Sequence, residues 1–141
     1  MNNKYLEPSL DSIKSFLMRN NNGPIVMLNL LKFRKVADYS LTPNLEPKES
    51  ISGKEAYKLY TDKTFSFVRK MEGEVLFYGN CDKFLIGPES ELWDAVLIIK
   101  YKHVQDFIDM TANSEYIKGY GHRLAALEDS RLLPVVEGTF L

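Results

Sequence analysis

Apolar residues recur along this chain at two spacings, and each change of spacing marks an element. In "EPSLDSIKSFLMRNNNG", Leu10, Ile13, Phe16 and Leu17 fall on one helical face, so a short helix is predicted. Pro8 or Ser9 would start it, and "NNNG" would end it with residues that tolerate positive φ. "PIVMLNLLKF" reads as a strand, unusual in carrying the amide Asn29 in its middle. Residues 35–51 are polar, contain Pro43 and Pro47, and read as a long loop, either disordered or a lid or binding loop.

"SGKEAYKLYTDKTFSFVRKMEG" is the clearest helix. Ser52 and Glu55 form a capping box, in which each side chain bonds the other's orphan backbone N–H, and Gly73 would close the far end. "EVLFYGNCDKFLIG" predicts a second strand, bent or bulged at Gly79, and "LWDAVLIIKY" a third. "KHVQDFIDMTAN" predicts a helix, and "SEYIKGYGHRLAAL" further helical turns weakened by Gly119 and Gly121. "EDSRLLPVV" predicts a last strand at a sheet edge, since Pro134 cannot donate to a ladder. The core order β-α-β-β-α-β is that of an α+β, ferredoxin-like fold: one four-stranded antiparallel sheet with the helices on one face.

That fold raises a problem of coverage. On the first strand, one face carries Val26, Leu28 and Leu30 and the other Ile25, Met27, Asn29, Leu31 and Phe33. On the third, Val96 and Ile98 oppose Trp93, Ala95, Leu97, Ile99 and Tyr101. Both faces are apolar and the helices cover only one, so a second copy of the chain is expected on the other. The alternative is that the N-terminal helix and the 35–51 loop cover it within one chain. Asn29 is assigned to the side away from the helices, beside Met27 and Leu31.

Composition narrows the class. The 141 residues fit one domain spanning 1–141, with residues 1–22 as an N-terminal helical extension and 35–51 as a loop insertion. A net charge of −1 offers no footprint for nucleic acid or anionic lipid. Cys81 is alone, the N-terminus has no apolar h-region, and no apolar run reaches a membrane span, so a cytoplasmic protein is expected.

Candidate chemistry lies in polar residues set within apolar runs. Asn29 either bonds backbone or points a donor–acceptor pair into a cavity. Trp93 either packs with Leu97 and Ile99 or orients a ligand, and its indole N–H needs a partner in either case. Asp94 is read as a salt-bridge partner, and Tyr57 and Tyr60 as packed side chains with satisfied hydroxyls, Tyr57 being also a candidate donor. Arg123 is expected to pair with Glu128, Asp129 or Asp94, or to hold an anionic group. His122 is, with His103, a candidate near-neutral acid–base. The spacing supports no metal site, and no phosphate loop or nucleophile elbow is present.

The blocks "VMLNLLKFR", "SGKEAYKLY", "GEVLFYG", "LWDAVLIIKY" and "HRLAALEDSRLLP", in that order, resemble the DUF1330 family of dimeric α+β barrels. The resemblance implies a ferredoxin-like protomer and a homodimer with sheets packed face to face. It matches recurrent positions at Asn29, Gly53, Tyr57, Tyr60, Trp93, Asp94 and Arg123, and departs where Lys102 and His103 stand in place of the usual Pro. The expected function is binding or transformation of a small, partly apolar molecule without a cofactor. Asn29, Tyr57, Trp93 and Asp94 would contact the ligand, and His122 and Arg123 would be catalytic. The alternatives are a non-enzymatic binding or structural dimer and, through a looser likeness of Asn29, Trp93 and His103 to heme-degrading relatives, heme chemistry.

Overall fold

The computed structural model describes residues 4–19 and 22–140. Its elements follow in chain order: α1 Leu10–Met18, β1 Ile25–Phe33, α2 Gly53–Lys70, β2 Glu74–Asn80, β3 Ala95–Tyr101, α3 Val104–Ala112, α4 Ser114–Ala126 and β4 Leu127–Val135. The strands form one antiparallel sheet in the order β2-β3-β1-β4. That is the ferredoxin-like topology, and β4 with Pro134 lies at the expected edge.

The caps follow the sequence. Ser9 caps α1 through its side chain, which accepts from the Ser12 N–H at 3.1 Å. Asn20 and Asn21 of the predicted stop lie outside the described residues. The α2 capping box is complete, with Ser52 and Glu55 each accepting from the other's backbone N–H. At the far end of α2, Glu72 takes the left-handed conformation (φ 61), and the Gly73 N–H then returns to the Val68 carbonyl at 2.8 Å. Gly119 and Gly121 do not break α4, which runs unbroken from Ser114 to Ala126.

Two glycines are required by close approach. Gly53 opens α2 against the backbone of Arg34 and Ala126, and its N–H bonds the Arg34 carbonyl at 3.0 Å. Gly121 lets the 35–51 segment lie on α4, because a Cβ there would stand 2.5 Å from Thr42 Oγ1 and 2.7 Å from Leu45 Cδ1. The segment is ordered, with one 3-10 turn at Pro43–Leu45 and a bond from the Asp38 N–H to the Ala125 carbonyl at 2.9 Å.

Three expectations are corrected. The bulge in β2 falls between Val75 and Phe77, not at Gly79. β3 begins at Ala95, so Trp93 and Asp94 precede the strand. Asn29 faces the helices. It shares its side of β1 with Ile25, Met27 and Leu31, which pack into the core with Ala56, Tyr57, Tyr60, Val68 and Ala125 of α2 and α4.

The opposite sheet face carries the cross-strand row Phe77–Ile98–Leu28–Leu133. Its outer members are open, Phe77 at 55% and Leu133 at 57% exposure. α1 does not cover this face: Phe16 packs edge-on against Phe107 of α3, at 5.8 Å between ring centres. The 35–51 segment lies on the helix layer as well.

Candidate functional site

The helical spacing of "EYIKGYGHR" puts Tyr116, Tyr120 and Arg123 on one face of α4. α2 runs beside it and brings Tyr57 and Tyr60. The rings of Tyr57 and Tyr60 stand 5.4 Å apart, Tyr60 and Tyr116 5.9 Å, and Tyr116 and Tyr120 5.9 Å. The Tyr60 and Tyr116 hydroxyls share a 2.6 Å hydrogen bond. The Arg123 guanidinium lies 5.8 Å over the Tyr120 ring and is only 8% exposed.

A buried guanidinium normally has an acid beside it. Here, among the described residues, no carboxylate comes within ion-pair distance of Arg123. Its Nη1 donates to the Leu6 carbonyl, and its Nη2 to Ser130 Oγ at 3.3 Å. The acids expected as partners are engaged elsewhere. Glu128 pairs with Lys4 at 2.8 Å, Asp129 pairs with Arg131 at 2.7 Å, and Asp94 accepts the Phe33 N–H at 2.8 Å where β1 is bulged. Asp94 is thus a backbone clamp, not a salt-bridge partner.

Burial works against the Arg123 charge, but the oxygens of Tyr120, Tyr60, Tyr57 and Tyr116 outweigh it, so the guanidinium pKa is raised further. Burial also drives the Tyr57, Tyr116 and Tyr101 hydroxyls far above the ordinary tyrosine value and raises Tyr120 as well. All four are therefore neutral hydrogen-bond donors. Tyr57, 4% exposed, has no hydrogen bond from its hydroxyl to any described residue, against the expectation of a satisfied group.

The sequence-predicted residues fall into three places. Tyr57 and Arg123 meet in this cage. Asn29 lies in the sheet row Tyr78–Leu97–Asn29–Leu132 on the same side, and its Nδ2 donates to the carbonyls of Leu97 at 3.1 Å and Met27 at 3.4 Å. His122 immediately precedes Arg123 but lies about 100° around the helix. Its Nδ1 is 2.8 Å from the Tyr39 hydroxyl, and burial, with Lys63 nearby, lowers its pKa.

Trp93 stands apart from the core that holds Leu97 and Ile99. Its ring faces the Arg131 guanidinium at 4.9 Å, which also lies 4.8 Å from the Tyr5 ring. With Leu30 and the Cys81–Leu85 segment it lines a cleft of about 290 Å³ at the rim of the outer face. Its indole N–H is buried without a partner among the described residues. His103 caps α3, beyond the far end of the seven-residue β3 from Trp93, a separation of more than about 20 Å. Asn29, Trp93 and His103 therefore do not converge. Among the described residues no group of three or more His, Cys, Asp or Glu side chains suits a metal ion, and no helix is long and apolar enough to cross a membrane.

Tyr116, Tyr120 and Ser130 were missed as site residues. The i, i+4, i+7 spacing of Tyr116, Tyr120 and Arg123 was the available signal. The Leu6 carbonyl has no signature in sequence.

No protein-family model matches the chain, and no curated protein matches it. It is similar to two crystal structures of RPA0582, a protein of unknown function from Rhodopseudomonas palustris, one of them of the methylated protein. Both are 32% identical with a TM-score of 0.85, and the match covers 97% of this chain and 97% or 99% of theirs. A dimeric protein of unknown function and ferredoxin-like fold from Bacteroides fragilis is 12% identical over 82% of this chain and 97% of its own, with a TM-score of 0.47.

Proposed function

Since the chain belongs to the family of RPA0582, itself of unknown function, its own residues must carry the reading, and we propose a homodimer that binds a small, partly apolar molecule between sheet and helices. Placement of the chain with DUF1330, on its motif blocks, is part of this proposal.

One observation carries the reading: the Tyr57 hydroxyl, with no hydrogen-bond partner among the described residues, stands near Arg123, a buried cation with no carboxylate within ion-pair distance among them. A ligand acceptor would give that hydroxyl the protein-side hydrogen bond it lacks. Phe33 and the surrounding tyrosine rings supply apolar walls. Arg123 and Tyr57 are the proposed polar contacts, with Asn29 fixing the floor through Leu97 instead of touching the ligand. His122 belongs with Tyr39 and Lys63, so any proton transfer by it would serve a different surface from the cage. Trp93 and Asp94 shape the sheet rim.

The competing reading, a structural dimer, is favoured by one feature: the Asn29 amide donates to backbone only. Calorimetric titration with phenol, benzamide and benzoate separates the two. Binding of at least one probe, weakened about 3- to 10-fold in Tyr57→Phe, supports the ligand site. If none of the three binds, the structural reading holds.

A further inference from the structure

The Arg123 cage is closed by backbone. Residues Lys4–Glu7 run past β4 as a strap, and the strap, not a side chain, fills the end of the guanidinium. Nη1 of Arg123 donates to the Leu6 carbonyl, and Ser130 Oγ, which accepts from Nη2, donates in turn to the Tyr5 carbonyl. A guanidinium is a planar fork of five N–H donors that matches the two oxygens of a carboxylate. Here that fork meets one carbonyl and one hydroxyl, both uncharged.

We infer that the site takes a small carboxylate, and that the strap is its gate, with the Leu6 carbonyl occupying the place of a ligand oxygen. The inference rests on the binding reading above and adds the ligand class and the means of entry.

The ligand class follows from the donors. A cation and the Tyr57 phenolic O–H converge, and among the described residues no carboxylate comes within ion-pair distance of the cation, the nearby Glu7 acting on Tyr120 instead. Neutral tyrosine hydroxyls surround them. What the guanidinium lacks is an anion in direct contact with it. The walls between the two ends are rings, which suit a planar apolar body on that carboxylate.

The gate follows from how each wall is held. α2 and α4 are anchored by buried residues along their length, Ala56, Val68, Ala125 and Ala126 among them. The strap is held largely by polar contacts at the rim. These include the Lys4–Glu128 ion pair at 2.8 Å, the Tyr5 N–H to Asp129 Oδ1 at 2.8 Å, and the Tyr5 ring over Arg131. Solvent-exposed pairs such as Lys4–Glu128 add little to stability. Leu6 is only partly buried, and α1 beyond it has no buried residue. The strap is thus the wall that moves at the least loss of apolar burial, and the closed cage needs a moving wall to admit a ligand.

The test uses the full chain, with benzoate and its neutral isostere benzamide as probes. Calorimetry gives the affinities, and hydrogen exchange with mass spectrometry follows the strap amides. Benzoate should bind at least about tenfold more tightly than benzamide, as expected when a charge-assisted pair replaces a neutral one. It should speed exchange at Tyr5, whose N–H the strap holds on Asp129. Lys4→Glu, which sets two acids against each other at the rim, should tighten benzoate binding about two- to fivefold by loosening the gate. Arg123→Gln should abolish the preference for benzoate; if that variant does not fold, the wild-type comparison and the exchange data decide alone. Equal affinity for the two probes would overturn the carboxylate assignment and leave the binding reading standing. Benzoate binding with unchanged or slower exchange at Tyr5 would overturn the gate. Absence of binding by both probes and phenol would remove the binding reading and this inference with it.

Discussion

The Asn29 side chain donates its amide hydrogen to the Leu97 carbonyl at 3.1 Å, across the β1–β3 pair and on the side that faces the helices. The amide thus braces the middle of the sheet from within the core. Truncation would remove the bond and leave a small void. Asn29→Ala should therefore lower stability by about 1–3 kcal/mol, read as a shift in the urea midpoint at constant slope. A shift below about 0.5 kcal/mol would show that the bond is energetically idle.

Two tyrosines of α2 should respond oppositely to loss of their hydroxyls. Tyr60 bonds Tyr116 at 2.6 Å, whereas the Tyr57 hydroxyl has no described partner. Tyr60→Phe should cost about 0.5–1.5 kcal/mol, and Tyr57→Phe should be neutral or stabilising in the unliganded protein. Equal losses in thermal or urea unfolding would mean that Tyr57 has a bonding partner after all.

Gly53→Ala is expected to be severe, although alanine normally improves a helix by about 0.5–1 kcal/mol. The added Cβ would collide with the Arg34 carbonyl and stand 2.5 Å from the Ala126 carbonyl and 2.7 Å from the Arg34 nitrogen. Those are backbone atoms of the β1 exit and of the α4 end, with no rotamer to change. A loss of about 3 kcal/mol or more should follow. A gain in melting temperature would contradict the packing described.

These positions show where the sequence was legible. The Ser52–Glu55 cap and the order of periodicities sufficed for the ferredoxin-like fold, because both depend on neighbours in the chain. The side of the sheet taken by Asn29 was not legible: Val26, Leu28 and Leu30 are as apolar as Ile25, Met27 and Leu31, so alternation alone cannot say which set meets the helices. Counting alternate residues puts Trp93 with Leu97, and that count fails because β3 starts only at Ala95, after the clamp at Asp94. Arg123 and Tyr57 each stand out in the sequence, but their convergence depends on α2 and α4 packing side by side. The strap over Arg123 acts through backbone carbonyls, to which side-chain identity gives no clue.

His122 should give the fold a pH dependence. Burial, together with Lys63 nearby on α2, lowers its pKa below the ordinary value of 6.5; Tyr39 shares its Nδ1, and Glu115 stands 3.8 Å from Lys63. A group harder to protonate in the fold than in the unfolded chain favours folding above its ordinary pKa, and that contribution is lost as pH falls through the folded value. The melting temperature should therefore drop between about pH 7 and pH 5, and less steeply in His122→Gln. Parallel profiles for the two proteins would exclude His122 as a source of the slope.

The outer sheet face yields the last expectation. Its row Phe77–Ile98–Leu28–Leu133 is apolar from edge to edge, and neither α1 nor the 35–51 segment lies on it. A stable interface buries about 800 Å² on each partner, an area a four-stranded sheet face can supply. A second copy, related by a two-fold axis, would set the same row against itself. In sedimentation the 16.2 kDa chain should then run as a dimer, with a melting temperature that rises with protein concentration. Leu133→Lys should give a folded monomer, because that side chain is 57% exposed in the single chain and its replacement removes nothing from the core. A wild-type monomer would show that this face is not a seam between copies. A Leu133→Lys protein that remains dimeric would place the seam elsewhere on the molecule.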